Sequence, residues 1–190
     1  GSSFLYAGVG YGGSCFPKDV RALIASGDEA ESPLSILKAV DAVNRDQREW
    51  FLKKIMSHYG GDVAGRTFAV WGLSFKPQTD DVRESPALYM IPRLVEAGAR
   101  IRAHDPVATA NARERLAGLE GAVEYTGENY EALEGADALL LMTEWPPFRR
   151  PDFQRMKELL RHPVIFDGRN QYSPALMRAM GFDYVCIGRR

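Results

Sequence analysis

The sequence predicts an α/β protein in which a doubly wound parallel sheet is preceded by a long connecting helix and a short helical segment. Three observations carry that prediction. From Arg66 onward, short and almost wholly apolar β-rich runs alternate with amphipathic stretches, the signature of strands buried on both faces by crossover helices. Ahead of them a helical period runs unbroken through Leu34, Leu37, Val40, Val43, Trp50, Phe51 and Ile55. Before that period lie a glycine-rich run, GVGYGG, and one further helical stretch.

Taken in order, residues 1 to about 31 read as a glycine-rich loop and a helix, VRALIAS, with Pro17 suited to the first turn and Gly27 to the position past its end. The long helix opens on Ser32-Pro33, a serine cap with proline at the first helical position, and stops at Gly60-Gly61. Its length of about 26 residues corresponds to roughly 39 Å, enough to bridge domains or subunits. Strands then fall on TFAVWGL, RIRAHDP, VEYT, ALLLMTEW, VIFDG and DYVCIG. Helices fall on SPALYMIPRLVEAG, 108–117, Tyr130 to Leu133, 152–161 and SPALMRAM. Six such strands joined by right-handed crossovers form a Rossmann-like domain. The expected division is residues 1–62, a helical segment suited to dimerisation, and 63–190, the Rossmann-like domain.

Composition narrows the function classes. The 190 residues are 45% hydrophobic and 26% charged with a formal net charge of −1, an ordinary globular balance without the basic patch or tail that nucleic acid or a membrane surface would demand. No apolar run approaches the roughly 20 residues of a membrane span, and no signal peptide is visible. Cys15 and Cys186 lie at opposite ends, and His58, His104 and His162 are scattered, so neither a disulfide framework nor a metal site is expected. The composition suits a reducing, cytoplasmic compartment.

GVGYGG fits the G-x-G-x-x-G spacing of a dinucleotide-binding turn, but only seven residues precede it, and Ser14-Cys15-Phe16-Pro17 follows where a packed helix should open. The glycines need a different reason, such as close approach of the backbone to a ligand. In a doubly wound sheet the ligand lies beyond the carboxyl ends of the strands, which singles out 72–77, 104–106, 143–145 and 167–169. Lys76 and Arg169 supply positive charge there, suited to a phosphate or, equally, to solvated loops. Gly72 lacks companion glycines and Asp105 sits in a turn-like HDP, so this sheet is not clearly an NAD binder.

Cys15 stands just before the helix start at Pro17, where unpaired amides, the helix dipole and Lys18 favour a thiolate. It is either a nucleophile or a buried structural cysteine. Cys186, between Val185 and Ile187 in a strand, reads as core.

FLYAGVGYGGSCFPKDVRAL, VNRDQ, GLSFKPQTDDVRESPAL and IFDGRN, in this order, resemble roughly the C-terminal two thirds of bacterial UDP-glucose 6-dehydrogenases. The resemblance implies an NAD-dependent oxidation of UDP-glucose to UDP-glucuronate through a thiohemiacetal and a thioester on cysteine. Cys15 matches the nucleophile and Asp19 the carboxylate that activates water. Phe4, Leu5, Tyr6, Tyr11, Gly12, Gly13, Phe75, Lys76 and Arg169 match substrate contacts. Cys15, Phe16, Pro17, Lys18 and Arg83 match positions against the nicotinamide cofactor, while Asn44 and Gln47 are expected to be structural. The long helix makes a homodimer through it the expected assembly, and the resemblance implies an N-terminal NAD-binding domain absent from this sequence. Alone, the chain is then expected to be inactive, with residues 1 to about 14 free to move. Related activities on GDP-mannose or a UDP-N-acetylhexosamine, or a noncatalytic nucleotide-binding and dimerisation module, are the alternatives.

Overall fold

The protein is described here from a computed structural model covering residues 5–189. Two helices, α1 (Phe16–Glu29) and α2 (Ser35–His58), come first. Six strands follow, β1 (Thr67–Trp71), β2 (Arg100–His104), β3 (Val123–Tyr125), β4 (Ala138–Leu141), β5 (Val164–Asp167) and β6 (Asp183–Cys186). They are separated by α3 (Pro86–Glu96), α4 (Thr109–Arg115), α5 (Asn129–Leu133), α6 (Phe153–Leu159) and α7 (Pro174–Ala179), with a 3-10 turn at Pro146–Phe148 ahead of α6. All pairings are parallel and the order is β3-β2-β1-β4-β5-β6. This is the doubly wound order expected, and its switch point lies between β1 and β4. Among the described residues no helix is long and apolar enough to cross a membrane.

Alternation along the strands divides the core into two layers. Phe68, Val70, Ile101, Leu140 and Phe166 face Met90, Ile91 and Leu94 of α3 together with Phe51 and Ile55 of α2. Ala69, Trp71, Leu139, Leu141 and Ile165 face Leu133, Phe148, Met156 and Met177. The second half of α2 therefore shares a core with the sheet. Cys186 is buried at the end of β6, as its apolar neighbours suggest.

Two boundaries differ from the sequence expectation. Gly27 lies inside α1 and not beyond it. A Cβ on Gly27 would meet Leu34 Cγ at 2.8 Å, so glycine is what lets the following chain fold back onto the helix. Ser32 does not cap α2, which starts at Ser35 behind Leu34 without a side-chain cap. The Ser32 amide is instead spent within the reversal, donating to Gly27 O at 2.9 Å.

Asp105, read from sequence as a turn residue, anchors the switch point. Its Oδ2 accepts from Leu73 N (2.7 Å), Ser74 N (3.1 Å), Ser74 Oγ (3.2 Å) and Trp145 Nε1 (3.1 Å), and its Oδ1 accepts from Val107 N and Ala108 N. Thr143 Oγ1 donates to Ser74 O at 2.6 Å and packs where Gly72, at φ 93°, has no side chain. These contacts fix the loops after β1, β2 and β4 relative to one another. Because Asp105 is buried and the amides of Leu73, Ser74, Val107 and Ala108 would lose this acceptor, Asp105→Ala should lower stability by about 3 kcal/mol or more. Urea denaturation checks this, and a midpoint within error of the unmodified protein would contradict it.

Candidate functional site

The glycine run is held on three sides. Val9, fully buried, donates its amide to Gly168 O at 2.8 Å, tying the run to the loop after β5. Tyr11 exchanges two hydrogen bonds with Asn44 of α2: Tyr11 N donates to Oδ1 at 2.8 Å, and Asn44 Nδ2 donates to Tyr11 O at 3.1 Å. Gln47 Nε2 donates to Gly8 O at 2.8 Å, and Gly13 N donates to Arg83 O at 2.8 Å. The structural roles expected for Asn44 and Gln47 are thus specific ones, in that each holds a carbonyl of the run. These bonds and the burial of Val9 tie residues 8–13 to α2 and to the sheet.

Space, as well as backbone freedom, dictates the glycines. A Cβ on Gly12 would lie 2.2 Å from Glu84 O, and one on Gly13, at φ 91°, would lie 2.8 Å from the Phe75 ring. One on Gly8 would lie 2.9 Å from Arg169 Nη1. The run is therefore pressed against the loops that follow β1 and β5, at the edge of the sheet where ligands are expected.

Cys15 leaves this run as the N-cap of α1, with Pro17 in the first turn. The thiol makes no capping hydrogen bond; its near neighbour is Ser14 Oγ at 3.6 Å, and it is exposed. Of the two readings of Cys15 that the sequence left open, the buried structural one does not fit. Its charge would bear on both Lys18 and Arg83. Lys18 is paired with Asp19 at 2.9 Å, and this carboxylate raises the Lys18 pKa through a hydrogen bond. Arg83 forks onto Asp81, with both contacts at 2.9 Å, and holds that carboxyl below its ordinary value. Pro17, Lys18 and Arg83, together with Gly13, Ser14, Arg21, Glu84 and Arg115, line an open groove of about 450 Å³ beside the cysteine. Among these side chains four are cationic. Three of the four are already paired, Lys18 with Asp19, Arg21 with Glu84 and Asp41, and Arg83 with Asp81, so an anionic ligand in the groove would compete with those carboxylates.

The remaining residues divide. Phe75 packs on Gly13 and Phe16 meets Tyr11 edge-on at 4.6 Å. Lys76 is exposed, its ammonium 5.2 Å from the Phe75 ring centre. Leu5 and Tyr6 are largely exposed, at 82% and 69%, and Phe4 lies outside the described residues. Arg169 is not the free cation its position suggested. Its Nη2 donates to Glu144 Oε1 at 2.8 Å and its Nε stands 2.6 Å from Oε2, so the charge is already neutralised and the guanidinium is held in place. Asp167 fixes the same turn by accepting from Arg169 N, Gln171 N and Tyr172 N and from Tyr184 Oη at 2.6 Å. Burial nonetheless pushes the Asp167 pKa up.

A cluster of charges escaped the sequence reading. Arg48 of α2 is buried and reaches Tyr11 O, Glu84 O and the Glu84 carboxylate. Arg21 joins Glu84 to Asp41, which also pairs with Arg45. Arg21, and then Arg48, hold the Glu84 carboxyl below its ordinary value against the opposing effect of burial. A signal existed: Asp41, Asn44 and Arg48 recur at helical spacing on the face that continues into Phe51 and Ile55.

The fold and the site together define a doubly wound α/β protein with an exposed cysteine mounted at the edge of its sheet. Residues 69–174 match the UDP binding domain of the UDP-glucose/GDP-mannose dehydrogenase family, and residues 1–46 match its central domain. The chain belongs to that family. It is 49% identical, over its whole length, to a UDP-glucose 6-dehydrogenase of Pseudomonas aeruginosa and 43% identical to one of Rhizobium meliloti. It spans 42% of each of these relatives, a smaller share than the two thirds expected. A solved UDP-glucose dehydrogenase from Pyrobaculum islandicum superposes over 96% of this chain and 39% of its own, with a TM-score of 0.79 at 35% identity.

The two thiols should differ sharply. Cys15 is exposed at a helix start, whereas Cys186 is 2% exposed and desolvation raises its pKa. In the folded protein at neutral pH, iodoacetamide should label Cys15 well before Cys186, as read by peptide mass spectrometry. Equal rates would contradict the placement.

Proposed function

We propose that, in its full-length protein, this chain carries the nucleophile and the substrate-side residues of an NAD-dependent oxidation of UDP-glucose to UDP-glucuronate. The observation that carries this reading is the placement of Cys15: an exposed thiol at the start of α1, on a run pressed against the Phe75 and Arg169 loops at the sheet's ligand edge. Residues 1–62 act as the helical segment bearing this cysteine, and residues 63–190 as the UDP-sugar domain.

On the substrate side, Lys76 is the charge free to meet the diphosphate, while Arg169, fixed by Glu144, is a pre-set donor whose geometry costs little to use. Phe75 and the backbone of Gly12 and Gly13 form an apolar wall, with Leu5, Tyr6 and Tyr11 contributed from the same run. Phe4 is assigned to the same wall by the resemblance alone. On the other side, the groove with Lys18, Arg21, Arg83 and Arg115 fits the phosphates of a dinucleotide. Phe16 and Pro17 border it near the cysteine. When bound, NAD would supply the acceptor for the two hydrides that a four-electron oxidation releases.

The chain's own chemistry rests on sulfur. The Cys15 thiolate adds to the aldehyde carbon, and the former carbonyl oxygen takes a proton to give a thiohemiacetal. Once that carbon is oxidised, the acyl group sits on sulfur as a thioester. Asp19, one turn along α1, takes a proton from the attacking water as general base; the C–S bond then breaks and the thiol is restored.

Ile36, Val43 and Trp50, seven residues apart on α2, stay exposed at 80%, 65% and 41%. We assign this stripe to a homodimer through α2, so Val43→Asp should shift the protein to a single-chain mass in sedimentation, and an unshifted mass would count against the assignment.

The oxidation is tested by incubating the full-length protein with UDP-glucose and NAD. Two NADH should form per UDP-glucuronate, with little from GDP-mannose, and Lys76→Ala should weaken UDP-glucose binding about tenfold in calorimetry. Failure to form NADH, or preference for GDP-mannose, would overturn this reading of the substrate.

A further inference from the structure

The buried arginine on α2 has no part in the chemistry just described, yet two segments of the site converge on it. Arg48 Nη2 donates to Tyr11 O at 2.7 Å and to Glu84 O at 3.1 Å, and Nη1 lies 3.3 Å from Glu84 Oε2. Its side chain is 7% exposed. One guanidinium nitrogen thus bridges the cysteine-bearing run to the loop that precedes α3, and the same group neutralises the carboxylate of that loop.

The geometry at Glu84 makes this bridge consequential. Glu84 has φ 54°, a left-handed backbone that a non-glycine residue adopts only at a cost. That backbone delivers its carbonyl both to Arg48 and into the space a Gly12 side chain would occupy, 2.2 Å from the ideal Cβ. Arg21, from α1, holds the same carboxylate at 3.0 Å. Just before Glu84, Arg83 O receives the Gly13 amide, two residues ahead of Cys15. So α1, α2, the glycine run and the 72–85 loop are all referred to one ion pair.

We propose that Arg48, with Glu84 as its counter-ion, is a positioning residue that latches the cysteine-bearing run to the sheet-edge loop, so that Cys15 and the Phe75 and Arg83 side chains are held as one unit. A lysine could keep the charge but could not hold two carbonyls and a carboxylate in one plane. The effect on turnover rests on the function proposed above; the latch itself does not.

The test uses hydrogen exchange and steady-state kinetics on the full-length protein, unmodified and as Arg48→Met, Arg48→Lys and Gly12→Ala. Gly12→Ala attacks the same junction from the glycine run and keeps the test open should Arg48→Met fold poorly. The Gly13 and Tyr11 amides should exchange about tenfold faster or more in Arg48→Met and Gly12→Ala. Leu139 to Leu141 in β4 should keep their protection, and Arg48→Lys should fall between. With UDP-glucose, kcat should drop by a larger factor than KM rises. Unchanged protection at Gly13 and Tyr11 in both variants would overturn the latch. So would equal loss of protection in β4, which would make Arg48 a support of the whole fold. If the unmodified protein forms no NADH, the oxidation reading fails while the exchange result still decides the latch.

Discussion

Between Gly12 and the carbonyl of Glu84 there is no room for even a methyl group, and much of the site follows from that closeness. The carbonyl is there because Glu84 takes a left-handed backbone, and it is kept there by Arg48 and, through the carboxylate, by Arg21. With the run lodged in that space, Gly13 meets the Phe75 ring, its amide reaches Arg83 O, and the chain enters α1 at Cys15 beside the groove. A side chain at Gly12 or Gly13 would lift the cysteine away from the sheet. Glycine is required here for contact with protein, in addition to whatever contact a ligand makes.

The same sheet edge shows how polar groups are divided between architecture and chemistry. Asp105 at the end of β2 is fully engaged by the neighbouring loops, which removes it as a ribose acceptor of the kind a dinucleotide fold places there. Arg169 is closed onto Glu144, and Asp167 holds the backbone of that turn. Lys76 and the thiol of Cys15 remain exposed. Groups consumed by folding set positions, and the exposed ones are available to a ligand.

Strands and crossover helices were legible because near-continuous apolar runs such as ALLL and VIFD can be satisfied only by a sheet covered on both faces. Cys186 was legible for the same reason. What could not be read were features set by partners distant in sequence. Gly27 looks like a helix stop until Leu34 packs on it; Arg169 looks like a free cation until Glu144 arrives from another strand end. Arg48 lies on the α2 face that continues into Phe51 and Ile55, but only the fold brings Tyr11 and Glu84 to it. The cysteine itself was found by its local setting, since a helix N-terminus is a property of nearby residues.

All of this gives the sulfur of Cys15 a fixed address at the ligand edge, and its chemical role can be addressed directly. The measurement is the rate of UDP-glucuronate formation by the full-length protein carrying Cys15→Ser, with UDP-glucose and NAD at saturation. The account predicts that acid formation falls by several orders of magnitude, because an oxygen in that place forms no thioester. Acid formed at the unmodified rate would contradict it.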